Sequence, residues 1–242
     1  VMAPLAARAQ RARAEVVLPL GAQRSAAATG TVKNLVILCR FSDHTVAANG
    51  RDPAAYDSLF NQVNSTGFNA PTGSLRDFWY QASYNTLTIQ STVAAWVALP
   101  QSEAYYGDGL YGLPFGANKA PSTRSAAQMV RDACTALDPT LNFADFDTDN
   151  DGYVDAIDII HSGLGGEQSG NGLNAIWSHK FSLSGDSGGV YVSADLNANA
   201  QHVRVDLYHT EPARFGNAGS WALTRVGVVA HETGHFFGLP DL

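Results

Sequence analysis

Cysteine is scarce in this chain of 242 residues: there are two, Cys39 and Cys134. Two cysteines cannot staple a small loop-rich fold, so stability must come from a packed core, for which the length is sufficient. Cys39 lies in an apolar strand pattern and Cys134 on an apolar helix face, so both read as small buried side chains. No apolar run reaches the roughly 20 residues needed to cross a bilayer. Positive charge is also short. Fifteen Lys and Arg stand against 22 Asp and Glu, a formal net charge of -7. Without a basic patch, nucleic acid is disfavoured as a partner. Internal repeats are lacking too.

What is present reads as an α+β chain with strands and helices in no strict βαβ rhythm. Residues 1–31, rich in Ala and Arg at their start, are expected to be a poorly ordered pro-segment remnant or linker, followed by one domain over 32–242. Leu35-Val36-Ile37-Leu38-Cys39 predicts a buried strand. Ser74 with Asp77 three residues on predicts a capped helix through Tyr80. Leu87, Ile89 and Val93 suggest an alternating strand. Ala126, Met129, Val130, Ala133, Cys134 and Leu137 fall on one face of a helix expected to start at Ser122. Ile157, Ile159 and Ile160 predict another buried strand, and Val203, Val205 and Leu207 one with a wet face. A last helix is expected from about Trp221 to Phe237, ended by Gly238 and Pro240.

That helix carries His231-Glu232-Thr233-Gly234-His235. Residues four apart share a helix face, so two imidazoles can grip one metal ion from a rigid element. Glu232 projects beside the metal, where it can take a proton from metal-bound water. Asp241, six residues after His235, falls at the third-ligand position of the extended motif. Two His and one carboxylate leave a position open, as catalytic zinc requires.

A second motif is Asp-rich. Asp147, Asp149 and Asp151 alternate, Gly152 permits a sharp turn, Tyr153 can offer its carbonyl, Asp155 sits where water often bridges, and Asp158 would close the set as a Ca²⁺ loop. So many carboxylates repel one another unless a cation is present. This site is expected to stabilise and not to react.

The segment Gly227–Leu242 resembles the active-site stretch of the immune inhibitor A family of secreted zinc peptidases. Asn34–Ser42, Ser74–Thr88, Asp147–Gly163 and Ile176–His179 resemble that family in the same order. The resemblance implies a zincin-like catalytic domain: a twisted mixed sheet with an active-site helix and a backing helix. It implies Zn²⁺ on His231, His235 and Asp241, Glu232 as general acid/base, protein or peptide substrates outside the cell, and a cleft lined by Trp177 and His179. The family's pattern also needs residues after Leu242 to floor the site, so part of the domain is expected to lie beyond this stretch. Two rivals stand beside this reading. One is a fragment that binds calcium and zinc but cuts nothing. The other is a serine hydrolase using Ser187, because Gly185-Asp186-Ser187-Gly188-Gly189 resembles a trypsin-like nucleophile segment without its histidine motif. His161, His179, His202 and His209 read as structural or exposed.

Overall fold

The computed structural model describes residues 29–113, 124–168, 171–217 and 220–240. Its centre is a twisted, mixed seven-stranded sheet, as the sequence suggested. The main path runs β2 (Leu87–Val93), β1 (Gly30–Arg40), β4 (Ile157–Leu164), β8 (Leu207–Asn217), β5 (His179–Ser182). β3 (Val97–Ala98) continues the β1 edge, and β9 (Ser220–Leu223) pairs β8. The pairs β2–β1, β1–β4 and β4–β8 are parallel, whereas β5 and β9 run antiparallel to β8. A separate hairpin joins β6 (Tyr191–Leu196) to β7 (His202–Val205).

The central strands are apolar on both faces because both are covered. The pleat of β1 sends Leu35, Ile37 and Cys39 to one core, and Val32, Val36 and Leu38 to the other. The first core is closed by α5 (Ala126–Leu137), whose Met129, Val130, Ala133, Cys134 and Leu137 are all buried. Each larger side chain in that stripe stabilises by roughly 1.5–3 kcal/mol, so Val130→Asp would undo the packing. The Oγ of Ser125 caps this helix by accepting from the Gln128 amide. The expected start at Ser122 lies outside the described residues. Both cysteines are free and buried in this core.

The second core lies under α2 (Pro53–Asn61), α3 (Leu75–Ala82) and α6 (Val226–Phe236). Single-turn α1 (Val46–Asn49) and short α4 (Glu103–Gly107) sit in the connections. The reciprocal cap of α3 forms as read, between Ser74 and Asp77. The Asp77 carboxylate also accepts the Asn64 and Ser65 amides, which ties the preceding loop to the helix and holds its pKa below the usual range despite partial burial.

The last helix is shorter than its sequence suggests. Residues Ser220–Leu223 are a strand against β8, and the helix begins at Val226 with no side-chain cap. The apolar run through Ala230 suits either state, and antiparallel pairing with the preceding strand, β8, claims its first part. Among the described residues no helix is long and apolar enough to cross a membrane.

Candidate metal centre and active site

α6 lies on the sheet with Val229 and Ala230 buried in the core that also holds Ala213 and Ile160. Trp79 of α3 packs edge-on to Phe237, 5.2 Å between ring centroids, and steadies the far end. The helix stops in a Schellman turn. The Gly238 amide donates to the His235 carbonyl (3.0 Å) and the Leu239 amide to the Gly234 carbonyl (2.9 Å). Gly238 has φ +84°, the left-handed conformation that its lack of Cβ permits.

On the outer face His231 is exposed and His235 half-buried. Their Nε2 atoms face each other at 3.1 Å, with the rings nearly perpendicular. Two nitrogens on one tetrahedral zinc, each about 2.0–2.1 Å from it, would stand roughly 3.3 Å apart. The Nδ1 of His235 is 2.8 Å from the Leu239 carbonyl. A carbonyl only accepts, so Nδ1 carries the proton and Nε2 keeps its lone pair for a metal. The donor set therefore fits zinc. Asp241, the expected third ligand, lies outside the described residues.

Glu232, the next residue and so about 100° further round the helix, lies on its buried side and is 2 % exposed. Its charge is felt by two further buried carboxyls, Asp158 of β4 and Glu211 of β8, and helps raise both their pKa values. The structure gathers Asp158 with His209 and Glu211, apart from the loop aspartates it was expected to join. The loop pattern treats it as the closing position, but β4 has already begun at Ile157. The pleat turns Asp158 into the core beneath α6, where it is fully buried.

The acidic loop itself gathers Asp147, Asp149 and Asp151, with one carboxylate oxygen of each within 4.8 Å of the others. Asp147 is 2 % exposed. Its Oδ2 accepts from the Gly152 amide (3.1 Å) and from Asn197 Nδ2 (2.8 Å), while its buried Oδ1 has no hydrogen-bond donor. Gly152, at φ +89°, makes the turn. Asp151 Oδ1 accepts the Tyr153 amide, and burial together with the neighbouring aspartates raises its pKa. The Asp155 carboxylate accepts from the Thr148 amide and hydroxyl. Oxygen donors converging on an orphaned buried oxygen fit a hard cation.

His179, expected to line a cleft, is 3 % exposed. It shares a strand face with Phe181, toward the core opposite α6, and both ring nitrogens are engaged, Nδ1 with the Trp177 carbonyl (2.7 Å) and Nε2 with Tyr208 Oη (3.0 Å). Trp177 is half-buried and stacks edge-on against Tyr111. Ser187 sits in an exposed turn, and its neighbour Asp186 pairs with Arg131.

Residues 25–242 match the model of the immune inhibitor A peptidase M6 catalytic domain. The chain belongs to that family. It is 30% identical over 228 residues to pre-pro-metalloprotease PrtV of Vibrio cholerae serotype O1 (strain M66-2), a match covering 82% of this chain and 22% of that protein. It is 27% identical over 238 residues to immune inhibitor A of Bacillus thuringiensis subsp. alesti, covering 86% of this chain and 33% of that protein. The chain therefore spans a third or less of the length of these relatives. For an M6 peptidase domain, a metal centre on α6 is in keeping with both the family and the paired Nε2 atoms.

Proposed function

We propose that this M6 domain is the catalytic part of an exported zinc endopeptidase that hydrolyses peptide bonds in extracellular proteins. The observation that carries the reading is the His231–His235 pair, Nε2 to Nε2 at 3.1 Å with the His235 tautomer set by the Leu239 carbonyl. His231, His235 and Asp241 would hold the ion. Zinc, when bound, brings the pKa of water down toward about 7 and polarises a peptide carbonyl. Glu232 takes the proton of the attacking water on its carboxylate and passes it to the leaving amine nitrogen. Its burial would strengthen a hydrogen bond from that water. Export draws on the pre-pro designation of the Vibrio cholerae relative. In this reading Ca²⁺ is held by Asp147, Asp149 and Asp151, with Tyr153 and Asp155 beside them, and stabilises the loop without taking part in the reaction.

The test is metal content and casein hydrolysis of wild type beside Glu232→Gln. About one chelatable zinc at the His pair is expected in both proteins, with cleavage lowered roughly 10²–10⁴-fold in the variant. Cleavage that survives chelation, or that a serine-directed reagent stops, rejects the reading in favour of Ser187. Zinc without cleavage favours the non-catalytic fragment.

A further inference from the structure

We infer that Asp158, His209 and Glu211 form a second metal site, buried between the sheet and α6, which takes a divalent transition cation such as Zn²⁺ or Mn²⁺. The parallel register of β4 and β8 sets Asp158 beside His209 and Ile160 beside Glu211. Alternation along both strands then turns Asp158, His209 and Glu211 to the α6 face, the one shared by Ile160 and Ala213. All three side chains are at most 1 % exposed. One ligand atom of each lies within 4.8 Å of the others. His209 Nδ1 stands 2.8 Å from Glu211 Oε1 and 3.8 Å from Asp158 Oδ1.

The oxygens call for a cation. Both carboxylate oxygens of Asp158 and Oε2 of Glu211 are buried with no N–H or hydroxyl donor, and the two carboxyls lie close enough to share a proton in place of a cation. Buried polar atoms are nearly always satisfied, and an orphaned carboxylate is among the costliest exceptions. The ion pairs these two acids make among the described residues are with His209, a weak base. Glu232 adds negative charge to both, and Glu167 adds more to Glu211. Burial, reinforced by that charge, lifts both acids well above the usual carboxylate range, so without a cation they would be driven to hold protons. One imidazole with carboxylates, in a dry setting, suits Zn²⁺ or Mn²⁺ better than Ca²⁺. His209 Nδ1 and Glu211 Oε1, 2.8 Å apart, are hydrogen-bonded, and an ion that displaced that proton would need only a small spreading of the donors to the roughly 3.3 Å of ligands sharing one zinc.

The experiment removes the competing sites first. His231→Ala/His235→Ala abolishes zinc at the proposed catalytic centre, and excess Ca²⁺ fills the acidic loop. The chain is dialysed against Zn²⁺ or Mn²⁺, gel-filtered, and its metal counted by mass spectrometry. About one transition-metal equivalent should remain in the double variant, and Glu211→Gln added to it should remove that equivalent. No retained metal, or retention unchanged by Glu211→Gln in a protein that still melts cooperatively, overturns the inference. Should the triple variant fail to fold, Co²⁺ loaded into the double variant decides. Ligand-field absorption of a nitrogen–oxygen site is expected, and the spectrum of the aqua ion overturns the site. Because the catalytic zinc is already gone, these outcomes are independent of the proposed peptidase centre.

Discussion

The acidic loop and Asp158 belong to one short stretch of sequence, yet the loop and the cluster that Asp158 joins meet water on opposite terms. In the loop, Asp149 and Asp151 are exposed and the carboxylates are tied down by backbone amides. In the cluster, Asp158 and Glu211 are sealed under α6, where their partners are His209 and each other and no backbone amide reaches them. The same residue type therefore does two kinds of work. Loop carboxylates are held in place before a cation arrives, and the cluster carboxylates depend on what neutralises them. The difference arises where the loop ends and the two-residue repeat of β4 takes over.

Mutation should separate the two regions by size of effect. Glu211→Ala removes the partner of His209 Nδ1 and leaves Asp158 alone in a dry site. Breaking a buried charged network costs about 3–5 kcal/mol. A fall in Tm of roughly 10 °C is expected by calorimetry. A drop of a degree or two would mean that the cluster is no more demanding than the loop.

Asp147→Ala comes next, since it strands the Gly152 amide and Asn197 Nδ2. A loss of about 1–3 kcal/mol is expected in Ca²⁺. A calcium chelator should lower the wild-type Tm by several degrees, as mass action on a folded-state ligand requires, and leave Asp147→Ala unmoved. Equal chelator responses in the two proteins would break the assignment of Ca²⁺ to this loop.

Glu103 sharpens the contrast through pH. Burial raises its pKa from 4.5 to about 8, the charge of Asp43 adds to that, and Arg214 opposes it. A raised acid favours folding in its protonated form. Its contribution is complete below about pH 4.5 and is lost as pH climbs through about 8. Glu103→Gln should therefore flatten the decline of Tm across that window. An unchanged slope would show that the group ionises as freely as a loop aspartate. Asp149→Asn, at the exposed end of the series, should shift Tm in chelator by under about 0.5 kcal/mol equivalent.

Features with a local cause could be read directly from the residues. The two-faced apolar run of β1, the Ser74–Asp77 capping box, the apolar stripe of α5 and the stop at Gly238 each depend on neighbours in sequence, and so does the four-residue spacing of His231 and His235. What could not be read depends on partners far along the chain. Ser220–Leu223 is the exception: its partner β8 ends three residues earlier, at Asn217, but an apolar run that suits helix or strand does not say which state the pairing selects. His179 is engaged by Tyr208 through the pairing of β5 with β8. His209 and Glu211 meet Asp158 only through the β4–β8 register. A trace of that cluster was visible in the isolated acid of Ile157-Asp158-Ile159-Ile160, a charge where an apolar strand should have none.

The Schellman turn after α6 joins two properties usually handled apart. Its second residue, Leu239, supplies both the amide that closes the helix and the carbonyl that holds the His235 ring. In the proposed zinc centre, punctuation of the backbone and grip on the metal would be one mechanical unit. Fraying at the helix end would be felt as weaker zinc affinity, and zinc on His235 would in turn suppress the fraying. Gly238→Ala, which touches no ligand, would then be read in a metal titration as if a ligand had been damaged.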